Sequence, residues 1–335
     1  VMWSCGNESF GGTNILAVAD WFRARDTRPV HYEGVFWDPR HPETTDVVSQ
    51  MYTPAAEVEA YLATHRDKPF ILCEYAHSMG NSFGAVDKYV DLSYREPLFQ
   101  GGFIWDFADQ AVPLRDRYGR DYFGYGGDCG ERPHDGDFSA DGILYADHTP
   151  KPILAEVAYL YQPFRIQITA GSVEVENRFL VTGSAGYDAV VRLAREGEVL
   201  AEAGFATDVP PGETRTYPLP VTVPDGPGEY TVDVAFRLRE ARPWAAAGHQ
   251  VASEQAVFGS RPARPAVAAV PELVNGIHNV GVHGPDFSVL FSKLYGGPVS
   301  YRHGGQELLH GVPVPNFWHA PTSNERGWGA PFEDA

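Results

Sequence analysis

Up to about residue 157, short apolar runs alternate with amphipathic stretches, the pattern of βα units around a parallel sheet. The runs at 1–4, 29–32, 47–52, 70–73 and 102–105 predict five strands. Between them, residues 14–25, 54–65 and 83–95 carry apolar positions at helical spacing, as at Val58, Tyr61 and Leu62. Each apolar run leads into a polar or aromatic cluster: GNES, YEG, MY, EYAH and WDFADQ. Chemistry in (β/α) barrels gathers at the C-terminal strand ends, so this repeated placement points to function. A closed (β/α)8 TIM barrel takes eight strands; five predict a partial barrel over residues 1–157, with about three βα units upstream of Val1.

Residues 120–152 form a Gly/Asp-rich stretch longer than an ordinary connection, which predicts a functional loop or one wrapped over a site. Its aromatic residues Tyr122, Phe123, Tyr125, Phe138 and Tyr145 favour packing over disorder. From about residue 158 to 262 the pattern changes to short alternating runs (VEVENRF, AVVRLARE, TRTYPLP, GEYTVDVAFRL) separated by PPGE and PDGPGE. These predict an antiparallel Ig-like β-sandwich. A Pro/Ala linker, RPARPAVAAVPEL, precedes residues 270–335, which read as β-hairpins and the beginning of a second β-sandwich. Val1 opens directly into an apolar run and Ala335 follows an aromatic, Asn/Gly-rich loop, so both ends are expected to be cuts.

Composition narrows the classes. The chain has 335 residues, room for two or three domains, and 43% hydrophobic with 21% charged residues is ordinary globular content. A net charge of −18 without any Lys/Arg run argues against a nucleic-acid partner. No apolar stretch is long enough to span a membrane, and neither a membrane span nor a signal peptide is expected. Cys5, Cys73 and Cys129 are too few and too scattered for a disulfide framework or a zinc site, so a reducing cytoplasm is the expected compartment. The 13% aromatic content suits sugar binding and large cores alike.

Two of the strand-end clusters contain Glu: Glu8 in WSCGNES and Glu74 in ILCEYAHSMGN. Glycosidic bond cleavage needs two carboxyl groups, one to protonate the leaving oxygen and one to attack or assist at the anomeric carbon. Either Glu alone is a common feature, but Asn7 beside Glu8 can hold a hydroxyl next to the reacting carbon, and Glu74 lies where a nucleophile could face it. Burial beside other acids is expected to raise the pKa of one of the two.

At this point the sequence resembles the large β-galactosidases of glycoside hydrolase family 2. The matching text is WSCGNES, HYEG, SQMY, ILCEYAHSMGNSFG, QGGFIWDFADQ, YGGDCGERPHDGDFSADGILYADHTPKP and NFWHAPTSNERG, in the family's order. The resemblance implies a retaining β-galactosidase acting on terminal non-reducing β-galactosides such as lactose, with Glu8 as acid/base and Glu74 as nucleophile. It implies that Asn7 holds the sugar 2-hydroxyl, Tyr52 supports the nucleophile, His77 contacts the sugar and Trp105 floors the galactose pocket. It also implies Mg²⁺ with Glu8 as the one ligand present here, Na⁺ held by the Phe138 carbonyl and Asp141, and a homo-oligomer.

Other readings stand beside these. Tyr52 and Trp105 could be core aromatics, His77 could cap the following helix, and Asp106 and Asp109 read as hydrogen-bonded loop carboxylates. Glu33, at another strand end, is a second-tier candidate. A β-glucuronidase or β-mannosidase relative shares the barrel and the NE motif. A non-catalytic carbohydrate-binding module and an inert fragment with open sheet edges are the remaining alternatives.

Overall fold

A computed structural model describes residues 1–80, 82–136, 138–260, 270–322 and 325. All five apolar runs form parallel strands: β1 (Trp3–Ser4), β2 (Val30–His31), β3 (Val48–Met51), β4 (Phe70–Tyr75) and β5 (Phe99–Ile104). They make two ladders, β1–β2 and β3–β4–β5. Between β2 and β3 one side chain stands in for regular pairing. Asp46 donates its N–H to the Val30 carbonyl at 2.8 Å, and its carboxylate accepts the Val30 N–H at 2.7 Å. The N–H and C=O of Val30 are thereby satisfied on the side that faces β3, without a ladder partner there.

Helices α1 (Thr13–Arg23), α2 (Ala55–Leu62) and α3 (Val86–Arg95) follow β1, β3 and β4. In α2, Val58 and Leu62 stand four residues apart on one face and pack with Phe70, Leu72, Val86, Leu92 and Phe99 in a common core. Full burial of side chains this size contributes roughly 1.5–3 kcal/mol each. Pro97 follows α3 closely and bars its continuation, because the residue before a proline is pushed out of the helical region.

Strand β4 carries an irregularity that matters for the site. Its register against β3 shifts between Gln50↔Leu72 and Met51↔Glu74, and against β5 between Leu72↔Gly102 and Tyr75↔Ile104. Strict alternation from Phe70 and Leu72 would send Glu74 into the helix-packed core. The extra residue instead gives that core position to Tyr75, while Cys73 and Glu74 line the same cavity. Gly102 permits the close approach of β5 here: a Cβ at this position would lie 2.9 Å from Leu72 and Tyr75 atoms.

The long Gly/Asp-rich stretch is only partly a loop. An antiparallel hairpin of β6 (Val112–Arg115) and β7 (Asp121–Gly124) opens it. Lys151 closes it, with Nζ 2.6 Å from Asp109 and 3.3 Å from the Ala140 carbonyl. Helix α4 (Ile153–Leu160) then follows, so the 157/158 boundary drawn from sequence falls inside a helix.

The sandwich has two sheets. One is β8 (Phe164–Ile168), β9 (Ser172–Asn177) and β12 (Thr214–Pro218), in the order β12–β9–β8. The other is β10 (Tyr187–Arg195), β11 (Glu198–Phe205), β13 (Gly228–Leu238) and β14 (Gln250–Ser260), in the order β11–β10–β13–β14. Phe164 of β8 meets Phe236 at 4.6 Å and Tyr187 at 5.2 Å between ring centroids, which joins the two faces. Strands β8, β11 and β14 are additions to the four runs that the sequence pattern marks. In β11, Ala, Glu and Gly give little strand propensity, and its edge position leaves it half solvated.

The chain divides into two units, one with Val1–Val223 and Thr231–Ala256, the other with Pro224–Tyr230 and Val257–Pro321. The second contains an antiparallel five-stranded meander, β15 (Glu272–Asn275), β16 (Asn279–His283), β17 (Phe287–Ser292), β18 (Gly297–His303) and β19 (Gln306–Glu307). Most of the expected linker, 261–269, lies outside the described residues, as do 323–324 and 326–335 of the final segment. Among the described residues no helix is long and apolar enough to cross a membrane.

Candidate active site

Every residue singled out on the first five strands sits at or just past a strand's C-terminal end: Asn7 and Glu8 after β1, Glu33 after β2, Tyr52 after β3, Glu74 and His77 at β4 and Trp105 after β5. Three of these exits pass through the left-handed region without glycine, at Glu8 (φ 50°), Tyr52 (φ 55°) and Ala76 (φ 51°). Such conformations cost roughly 1–3 kcal/mol each and persist where surrounding structure holds them. Hydrogen bonds hold two of them: the Glu8 N–H donates to Glu33 Oε2 at 3.0 Å, and the Tyr52 N–H donates to the Glu74 carbonyl at 3.0 Å.

Glu74 is the centre of a bonded group. Its Oε2 accepts the Tyr52 hydroxyl at 2.7 Å and its Oε1 accepts the Asn7 amide at 3.1 Å. Burial pushes the Glu74 pKa above the usual carboxylate value, and the charges of Glu8 and Glu33 push the same way. The Tyr52 hydrogen bond and the nearby His77 act against that rise. Burial raises the pKa of the Tyr52 hydroxyl above its ordinary value, helped by its bond to Glu74, so it remains a proton donor at neutral pH.

Glu33 proves more central than its second-tier placing. It is 1% exposed, and while Oε2 holds the Glu8 backbone, Oε1 accepts the Trp37 indole N–H at 2.7 Å. Sequence reasoning misses Trp37 because nothing in the periodicity of the connection after β2 marks it.

A second group surrounds Asp141, which is 1% exposed. Its Oδ2 accepts the Trp105 indole N–H at 2.8 Å, and His77 Nε2 lies 3.9 Å away. Its backbone carbonyl accepts the Ser78 hydroxyl and the Asp106 N–H. The His77 ring stands between Tyr52 at 5.8 Å and Phe138 at 5.6 Å, and His77 caps no helix, since α3 begins at Val86. Asp141 Oδ1 is buried with no hydrogen-bond partner among the described residues. Asp106 and Asp109 serve the loop: Asp106 accepts the Gln110 amide at 2.9 Å, and Asp109 accepts Lys151 and the Gly142 N–H.

Glu74 opens onto a cavity of about 410 Å³ with Asn7, Trp105, His31, Cys73 and Phe103 among its walls. His31 bridges Ser4 at 2.9 Å and Ser49 at 2.7 Å, and burial lowers its pKa. Burial likewise pushes the Cys73 thiol up to about 11, so it stays protonated at neutral pH. Glu74 is the one acid among the residues that line this cavity. Among the described residues no three His, Cys, Asp or Glu side chains gather as a metal ion would require.

Three family profiles match in succession: "Glycosyl hydrolases family 2, TIM barrel domain" over residues 1–166, "Beta-galactosidase, domain 4" over 173–259 and "Beta galactosidase small chain" over 283–335. The chain is 42% identical to a β-galactosidase of Halalkalibacterium halodurans over 98% of its own length and 33% of that protein's. It is 38% identical to one of Streptococcus thermophilus, over 100% of this chain and 35% of that protein. Among solved structures, a Parabacteroides merdae β-glucuronidase superposes with a TM-score of 0.34 at 12% identity, covering 89% of this chain and 40% of that one. The chain thus spans about a third of the length of the curated relatives it matches.

Proposed function

Because this chain belongs to glycoside hydrolase family 2, we propose that its carboxylates Glu74 and Glu8 carry out retaining hydrolysis of terminal non-reducing β-galactosides. The observation that carries the reading is the support of Glu74 by Tyr52 and by Asn7, the residue next to Glu8. The five βα units belong, in this reading, to the C-terminal part of an eight-stranded barrel, followed by an Ig-like sandwich and the start of a second β-sandwich.

In the first half-reaction Glu74 attacks the anomeric carbon while Glu8 gives its proton to the departing glycosidic oxygen, leaving a galactosyl ester on Glu74. In the second, Glu8 takes a proton from water, whose oxygen bonds the anomeric carbon as the ester bond breaks. The two hydrogen bonds to Glu74 aim its oxygens and stabilise the carboxylate that leaves at the end. Trp105, fixed through Asp141, floors the galactose position; His77 contacts the sugar, and Asn7 holds its 2-hydroxyl.

Asp141 Oδ1, buried and without a hydrogen-bond partner among the described residues, is the kind of oxygen that a cation satisfies, and with the Phe138 carbonyl it would hold Na⁺. Such an ion supplies a positive contact for a sugar hydroxyl. Mg²⁺ is a different matter. Glu8 is the only family ligand for it in this chain, and one carboxylate does not make a site.

The test is proton NMR of the sugar released from a nitrophenyl β-galactoside by the protein that carries these residues, with the glucuronide alongside. β-Galactose as the first product, and no glucuronide turnover, is expected. α-Galactose first, or preference for the glucuronide, would contradict the reading.

A further inference from the structure

The two carboxylates line different cavities. Glu74 shares its cavity with Asn7 and Trp105, whereas Glu8 lines a separate one of about 210 Å³ whose other walls are Ser9, Phe10, Trp37 and Met51. Phe10 is 78% exposed and Trp37 53% in this chain, so both rings present open faces beside the acid. Trp37 is nevertheless fixed. Its indole N–H bonds Glu33 at 2.7 Å, and Phe36 meets it edge-on at 5.1 Å between ring centroids. The same buried Glu33 carboxylate receives the Glu8 N–H, so one group sets the acid and the aromatic wall in a common frame.

We infer that Trp37 and Phe10 form the wall of the leaving-group subsite, a specificity-determining pair that takes the sugar or aryl ring attached to the glycosidic oxygen. This rests on the reading of Glu8 as the acid. An acid must reach the glycosidic oxygen within hydrogen-bond distance. The group beyond that oxygen therefore extends past Glu8, and the second cavity is the one that Glu8 itself lines. The C–H face of a pyranose, or a flat aryl group, matches an exposed aromatic ring better than water does, and a rigid ring loses little entropy in receiving it. The same wall receives an acceptor sugar in place of water: its hydroxyl proton passes to Glu8, and its oxygen bonds the anomeric carbon as the bond to Glu74 breaks.

The experiment measures kcat/KM of the full-length protein carrying these residues for lactose, nitrophenyl β-galactoside and methyl β-galactoside, with inhibition by free galactose as a readout of the sugar pocket alone. Trp37→Ala and Phe10→Ala are expected to lose roughly tenfold or more on the two ring-bearing substrates. In Phe10→Ala, methyl galactoside turnover and galactose inhibition should stay near parental values; in Trp37→Ala, which also removes a donor from Glu33, the ring-bearing substrates should lose more than methyl galactoside does. Trp37→Phe, which keeps a ring and guards against a folding failure, should lose less than Trp37→Ala. Losses equal across the three substrates, or no loss in any variant, would overturn the inference and leave the galactosidase reading standing. A parent that turns over no β-galactoside would overturn both.

Discussion

Tyr52 holds Glu74 twice: its hydroxyl donates to Oε2 at 2.7 Å, and its backbone N–H donates to the Glu74 carbonyl at 3.0 Å. The exit of β3 thus fixes the end of β4 where its bulge turns the carboxylate toward the cavity. Tyr52→Phe removes only the first of these bonds. A hydrogen bond to a charged group is worth about 1.5–3 kcal/mol, so kcat is expected to fall roughly 10- to 100-fold. Because the lost bond lowers the Glu74 pKa, the acid limb of the pH–rate profile should move to higher pH. A profile unmoved on its acid side would contradict this.

Glu74 also makes a stability prediction. Its folded-state pKa is raised, so its contribution to stability is fully present below the unfolded pKa and is lost as pH rises through the folded value. Glu74→Gln removes that loss along with the repulsion from Glu8 and Glu33. Thermal melts at pH 7–8 are expected to show the variant about 2 °C or more above the parent, while turnover collapses. The gain should shrink toward about pH 4, where the unfolded-state Glu is itself protonated. A variant less stable than the parent at pH 8 would argue against it.

Glu33 binds two donors from a fully buried position. In Glu33→Gln the amide nitrogen must face one of them, donor against donor. We expect a loss of about 1–3 kcal/mol in urea unfolding, together with reduced kcat as Glu8 loses its backbone anchor. Unchanged stability and kcat would show that the two bonds are dispensable.

Asp141→Asn should keep an acceptor for Trp105 while replacing the buried Oδ1 or removing its negative charge. Titration with Na⁺ against tetramethylammonium, followed by tryptophan fluorescence, is expected to give a saturable response in the parent and none in this variant. Equal responses to both cations in the parent would remove Na⁺ from the account.

The strand exits are legible in the sequence because each polar cluster follows an apolar run, and that ordering survives folding unchanged. Glu74 is marked by its motif, yet its direction is not, since even spacing from Phe70 and Leu72 assigns it to the core. Only the bulge, supported by Gly102, reverses that assignment. The break between β2 and β3 is equally hidden: Asp46 replaces a ladder position through its side chain, and no periodicity records such a substitution. The importance of Glu33 lies in its burial between two donors, a property of the folded chain alone.

The most direct test of the central claim is to trap the covalent intermediate with a 2-deoxy-2-fluoro-β-galactoside bearing a good leaving group and to locate the adduct by peptide mass spectrometry. The account predicts a fluorogalactosyl label on Glu74, formed as activity is lost and absent in Glu74→Gln. A label on Glu8, Glu33 or any other residue, or inactivation without a covalent adduct, would contradict it.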